Sequence, residues 1–237
     1  NYTILISIAQ NNVILQSFSA FLRIFVHIVL KTRPESVILY SSYKNTQTHT
    51  GGGLPPVVKQ EVISMSELMN IIKSRRSTRA FKPELPPVEQ IRRIVEAAEW
   101  APSGMGRYNW HFSVVYNPEK TLKLARAIAE ADNRGPEYNF YGAPVIINIS
   151  CERDDRNALL NGAAAIENLM LAATELGLGS CWINQVRDQC DVPAVRALLT
   201  EYGTPEDHIV TCSAAIGYIA KETQPHERRE GVCNIVK

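Results

Sequence analysis

The chain has 237 residues, 45% of them hydrophobic and 21% charged, which suits one domain of ordinary size with or without an appendage. A formal net charge of +1 excludes both a global basic excess that would point to nucleic acid and the acidic excess of a solvating tail. The five cysteines (Cys151, Cys181, Cys190, Cys212 and Cys233) contain no CxxC pair and the five histidines are scattered, so the sequence offers no metal site and no disulfide framework; small buried thiols in a reducing compartment are expected.

Residues 1–64 differ from the rest. Val13 to Leu30 is apolar and long enough to raise a membrane span, but Gln16, Arg23 and His27 interrupt it, and a charge near the middle of a span is costly. No basic region precedes it, as a signal peptide requires. The polar run from Ser41 to Gly53 and the Pro55–Pro56 pair read as linker or disorder. Gln60–Glu61–Val62 can be encoded CAG-GAG-GTN, which contains the purine-rich AGGAGGT that places a bacterial ribosome, and Met65 follows closely. Met65 is therefore expected to be the natural start, with residues 1–64 a non-native or disordered upstream extension; the alternative is a genuine membrane-tethering segment.

From Met65 onward strand and helix signals alternate. Ser66 stands as an N-cap before the short amphipathic helix ELMNIIKSR. Pro86–Pro87 opens a helix in which Val88, Ile91, Ile94, Val95 and Ala98 recur at helical spacing. Trp110 to Tyr116 is aromatic and β-branched and predicts a strand; TLKLARAIAEA predicts a helix; Ala143 to Cys151 predicts a buried strand. Asn157 to Gly179 is apolar on nearly every face and ends in glycine, which predicts a helix buried on all sides, inside the protein or across a subunit interface. The segment SCWIN, the helix AVRALLTEY and the strand HIVTCSAAIGYIA complete an alternating α and β pattern without internal repeats.

Four clusters carry chemistry. In SRRSTRAF, Arg75, Arg76 and Arg79 surround Ser77 and Thr78, a donor set suited to phosphate, although charge alone is equally consistent with a solvated basic patch. APSGMGRYNWHF, from Ala101 to Phe112, is a Pro- and Gly-bearing loop whose backbone can approach a ligand. GLGSCWINQ ends the long helix and leads into an apolar segment able to lie along a ring system, or is simply a helix cap before a strand. HERRE holds the late basic pair Arg228 and Arg229, which by itself is also an exposed surface pair. No Ser-His-Asp or Cys-His arrangement demands nucleophilic catalysis; His111, the nearest candidate acid, follows Trp110 at a strand start and reads as structural.

In this order the clusters resemble the nitroreductase family of flavoproteins, over essentially Met65 to Lys237. RRSTRAF resembles its N-terminal Arg-Arg-Ser-x-Arg signature, APSGMGRYNWHF its Ala-Pro-Ser-x-x-Asn-x-Gln-Pro-Trp loop, AAIENLMLAATELGLGSCWI its central helix and following strand, and GYIAKETQPHERRE its closing segment. The resemblance implies an α+β fold with a central mixed, mostly antiparallel sheet flanked by helices, assembled as a homodimer with flavin at the interface. It implies that Arg75, Ser77 and Arg79 hold the FMN phosphate and ribityl chain, with Arg76 in the same segment and Arg228 or Arg229 closing from the C-terminal side. Pro102, Ser103, Gly104 and Met105 then belong to a loop that reaches the flavin of the other subunit. Trp182, Ile183 and Asn184 lie along the ring, the Asn184 amide donating to N5. The implied activity is a cytoplasmic oxidoreductase: NAD(P)H reduces FMN, and a nitroaromatic, quinone or related small acceptor takes the electrons, with no catalytic side chain, metal, nucleic acid or membrane involved. Other family chemistry (dehalogenation, flavin fragmentation, an oxidase step) or non-catalytic flavin binding are the alternatives. Gly106 stands where the family usually has Asn, and Tyr108–Asn109 replaces Gln-Pro, departures that bear on substrate and hydride-donor choice rather than on flavin binding.

A chain that begins at Met65 is expected to fold, dimerise and bind flavin as the full chain does, because the preceding linker composition makes few contacts with a core. Melting temperature and flavin content of the two chains check this; a large loss on truncation would put residues 1–64 within the fold.

Overall fold

Apolar side chains at every second position of one strand and at helical spacing in its neighbours decide where the layers meet. The computed structural model describes residues 67–225 and 227–236, so the apolar run, the linker, the Met65 start and the Ser66 cap expected from the sequence lie outside the described residues. Helix α1 (Glu67–Ser74) is followed by α2 (Val88–Glu99), which has Pro87 at its N-cap and turns Ile91, Ile94 and Ala98 inward. Strand β1 (Trp110–Val115) leads to α3 (Pro118–Ala131), whose Asn117 cap accepts the Lys120 amide at 3.0 Å. Strand β2 (Val145–Glu152), the long helix α4 (Ala158–Glu175), β3 (Gly179–Trp182), the short α5 (Asn184–Gln189), α6 (Pro193–Glu201) and β4 (His208–Gly217) follow. Helix α5 falls on residues to which the sequence pattern assigned no helix.

The strands pair antiparallel in the order β1-β2-β4-β3, and a lone parallel bridge joins Ser77 to Ser180 at the β3 edge. This is the α+β arrangement expected, with the sheet mostly antiparallel. Along β2 the period of two sends Val145, Ile147 and Ile149 to the face covered by α2 and α4, and Ile146 to the face covered by α3, α5 and α6. A bulge at Ile149/Ser150 lets Thr211 drop out of register, and its hydroxyl donates to the Ile149 carbonyl at 3.0 Å. Helix α4 approaches β4 closely there: a Cβ on Gly162 would stand 2.1 Å from Thr211 Oγ1. Among the described residues no helix is long and apolar enough to cross a membrane.

One expectation is met only on one side. Ala165, Ile166, Leu169, Met170 and Ala173 of α4 are buried against the sheet and α2, but Leu159 and Leu160 at its start are 56% and 70% exposed. A single chain therefore does not cover the whole circumference of this apolar helix.

Leu169 is fully buried. Leu169→Ala is expected to cost about 2–5 kcal/mol through lost burial and the cavity left behind, measured by chemical denaturation. Burial pushes the Cys212 thiol up to about 12 and Cys151 up to about 11, and raises Cys181 and Cys190, whereas Cys233 is exposed. Alkylation of the folded protein by iodoacetamide at mildly alkaline pH should label Cys233 alone, read by peptide mass mapping.

Candidate functional site

The arginine segment begins where α1 stops. The Arg75 amide still bonds the Ile71 carbonyl at 3.0 Å, and from Ser77 the backbone runs out along the sheet. Thr78 donates its amide to the Ser180 carbonyl (2.8 Å), Lys82 to Tyr218 (2.9 Å), and Ala220 back to Ala80 (3.0 Å). Gly179 permits this approach, since a Cβ there would stand 2.6 Å from Thr78 Oγ1. The chain after β4 returns to the same place: the Thr223 hydroxyl donates to the Ser77 carbonyl at 3.1 Å. Arg75, Arg76, Ser77, Arg79, Thr223 and Arg228 consequently line one cavity of about 230 Å³.

Among the described residues no carboxylate lines that cavity. Arg75 has a loose partner, Glu167 on α4, at 3.8 Å, and among the described residues neither Arg79 nor Arg228 pairs with an acid. Guanidiniums gathered around a hydroxyl with only one loose counter-charge suit a multivalent anion, since their paired donors match phosphate oxygens. The nearby Cys181 thiol is raised by burial, against the pull of Arg79 and Arg75. Two residues of the basic clusters stand apart. Arg76 borders the cavity but donates Nη1 to the Lys73 and Arg75 carbonyls at 2.7 and 2.8 Å, which caps the end of α1. Arg229 is exposed and does not line the cavity, so of the late pair Arg228 is the one brought in.

The segment Trp182–Asn184 leaves the same sheet edge, two residues beyond the Ser77–Ser180 bridge. Trp182 is half-buried, and its buried Nε1 has no partner among the described residues. The Ile183 side chain packs in the core with Val186 and Cys190, and its amide donates to the Ser213 carbonyl at 2.8 Å, leaving little of Ile183 for a ligand. Asn184 is exposed and begins α5, whose first amides have no partner within the helix.

The loop with Pro102, Ser103, Gly104 and Met105 lies elsewhere. It feeds β1, the edge strand opposite β3, and none of its residues lines the arginine cavity. Met105, Gly106 and Tyr108 all have positive φ (60°, 62° and 50°), a conformation costly for the two non-glycine residues. Ser103 holds the turn: its carbonyl accepts the Gly106 amide and its hydroxyl the Tyr108 amide, both at 3.0 Å. Met105 is 84% and Tyr108 59% exposed, and the Tyr108 ring meets Trp110 edge-on at 5.7 Å. Thus the two residues that replace the family's Gln-Pro include a strained, outward aromatic. His111 sits at the start of β1 with its ring 6.3 Å from that of His208, away from the cavity.

Sequence reasoning missed Thr223, which lines the cavity, and the trio Asp155, Asn157 and Asn161, which meets the 103–108 loop. Neither has a local signature: Thr223 is an ordinary polar residue, and the trio acts only through residues about fifty positions away.

The chain is similar to several known proteins. The pattern of the nitroreductase family matches residues 72–218. A nitroreductase of Bacteroides fragilis, solved with bound FMN, superposes with a TM-score of 0.67 at 37% identity, covering 72% of this chain and 99% of that one. A protein of Methanothermobacter thermautotrophicus, whose name pairs NADH dehydrogenase with NAD(P)H nitroreductase, is 30% identical over 168 residues, 67% of this chain and 81% of its own. An iodotyrosine deiodinase of Thermotoga neapolitana is 28% identical over 136 residues, 49% of this chain and 73% of its own.

Proposed function

The chain belongs to the nitroreductase family, and from that premise we propose that it is an FMN-dependent oxidoreductase in which NAD(P)H reduces a nitroaromatic, quinone or related small acceptor in the cytoplasm. The observation that carries this is the cavity of about 230 Å³ with Arg75, Arg79, Arg228 and Ser77 on its walls and, among the described residues, no carboxylate, at the sheet edge from which Trp182–Asn184 emerge. These residues fit the group: the guanidiniums and the hydroxyl take the phosphate and ribityl chain, and a half-buried indole and a free helix-start amide lie further along the same edge. The bound flavin would supply the two-electron exchange, accepting hydride at N5 and passing the electrons to the acceptor. The chain's own part is orientation. The arginines would hold the phosphate end, the Asn184 amide would donate to the ring, and no side-chain acid or base would be called on.

The flavin-binding unit in this reading is Met65 to Lys237, and it works as a homodimer. The 103–105 loop and the arginine cavity lie toward opposite edges of one sheet, so a loop that serves the cofactor serves the partner's. The exposed Leu159 and Leu160 on α4 give that partner an apolar surface to cover. Similarity to a deiodinase, together with the Gly106 and Tyr108 departures, makes reductive dehalogenation the second reading of the acceptor half-reaction.

The protein should purify with FMN, bleach with NADH or NADPH, and recolour with a quinone or nitroarene; a halogenated tyrosine as acceptor tests the second reading. A flavin that is never bleached by either nicotinamide would refute the donor. Arg75→Ala should weaken FMN binding by about 1.5–3 kcal/mol, roughly 10- to 150-fold, in a fluorescence titration, and an unchanged affinity would make Arg75 a surface charge.

A further inference from the structure

Asp155, in the turn between β2 and α4, is a carboxylate with only 5% of its surface exposed. Its oxygens are satisfied by amides. The Asn157 backbone amide donates to Oδ1 at 2.9 Å and Asn161 Nδ2 donates to Oδ2 at 3.0 Å. The Asn157 amide chiefly, with the Asn109 and Asn161 side chains and the nearby Arg107 charge, holds its pKa below the usual carboxylate range against the effect of burial. An ionised carboxylate only accepts hydrogen bonds. Asn161 must therefore turn its NH2 group toward Asp155, which leaves its oxygen facing the other way. That oxygen accepts the Gly104 amide at 2.8 Å, the contact that ties the 103–108 loop to α4.

From this arrangement we infer that Asp155, acting through Asn161, is a positioning residue that sets the 103–108 loop in the conformation it presents to the partner's flavin. The inference rests on the shared-site reading above for its last step. Without Asp155 the Asn161 amide loses one of the two contacts that orient it, and a flipped amide would set donor against donor at Gly104. The loop has reason to need an anchor, since Met105 and Tyr108 hold left-handed backbone and expose large side chains. Gly104 admits no side chain there, because a Cβ would stand 2.5 Å from Asn157 Nδ2 and 3.0 Å from its Cβ. The loop thus seats directly on the start of α4, and the Asp155–Asn161 pair decides how.

The test uses the full-length flavoprotein and three variants, Asn161→Leu, Asp155→Ala and the near-isosteric Asp155→Asn, which guards against simple misfolding. Backbone hydrogen exchange of residues 103–108 reads the anchor; KM and kcat for a quinone acceptor, with flavin content, read its use. Asn161→Leu and Asp155→Ala should speed exchange at Gly104 at least tenfold and Asp155→Asn by less, while KM rises at least fivefold and the far-UV spectrum is kept. Unchanged exchange in folded Asn161→Leu overturns the anchor. Loosening by Asn161→Leu with none in either Asp155 variant overturns Asp155 as the group that orients the amide. Faster exchange with unchanged KM and flavin content would leave the anchor standing and refute the reading in which this loop serves the partner's flavin.

Discussion

The backbone pairing of residues 77–82 with the sheet is the interaction on which the site depends. Thr78 to Ser180, Lys82 to Tyr218 and Ala220 to Ala80 are short amide-to-carbonyl bonds, and they tie a basic stretch to β3 and to the chain just after β4. The consequence is electrostatic. Arg75 precedes this pairing, Arg79 lies within it, and Arg228 arrives on the chain that Thr223 pins to Ser77. Like charges gathered in one cavity repel, and the loose Glu167 contact offsets little of that in water. Such an arrangement is most stable when an anion fills it, so binding and folding are linked through the same residues.

A second constraint comes from α4. Gly162 brings it onto Thr211 with no room for a side chain, which locks the helix against the bulged part of the sheet and leaves its start turned outward. The start of α4 does two jobs at once. It exposes Leu159 and Leu160, and through Asn161 it holds the loop that carries Met105 and Tyr108. Uncovered apolar surface and strained backbone occur together there, as expected of a place whose conformation is set for contact with something else.

Much of the fold was legible from local pattern. The apolar run of β2, the helical spacing of Ile91, Ile94 and Ala98, and the Pro that opens α2 all express constraints that act over a few residues. Type and order of elements follow from such constraints, because periodicity and turn chemistry are short-range. The arginine cluster was equally visible, although residue type alone fits a phosphate seat and a solvated basic patch equally well. What pattern did not distinguish is which guanidiniums face the cavity. Arg76 is adjacent to Arg75 yet spends its donors on the helix end, and Arg229 is adjacent to Arg228 yet stays outside. Ile183, grouped with Trp182 and Asn184 by sequence, points into the core because β alternation turns it that way.

Residue order alone therefore determined most of the elements, their apolar faces and the clustering of three arginines with a hydroxyl. Tertiary structure decided everything that joins distant parts of the chain. Ser77 meets Ser180 and Thr223, Gly104 meets Asn161, and the 102–108 loop is carried to the sheet edge opposite the arginine cavity. The physical reason is range: propensity and periodicity are set by neighbours a few positions apart. Hydrogen bonds and charge clusters at a site are instead set by which strands lie side by side, and that depends on how the whole chain buries its apolar surface.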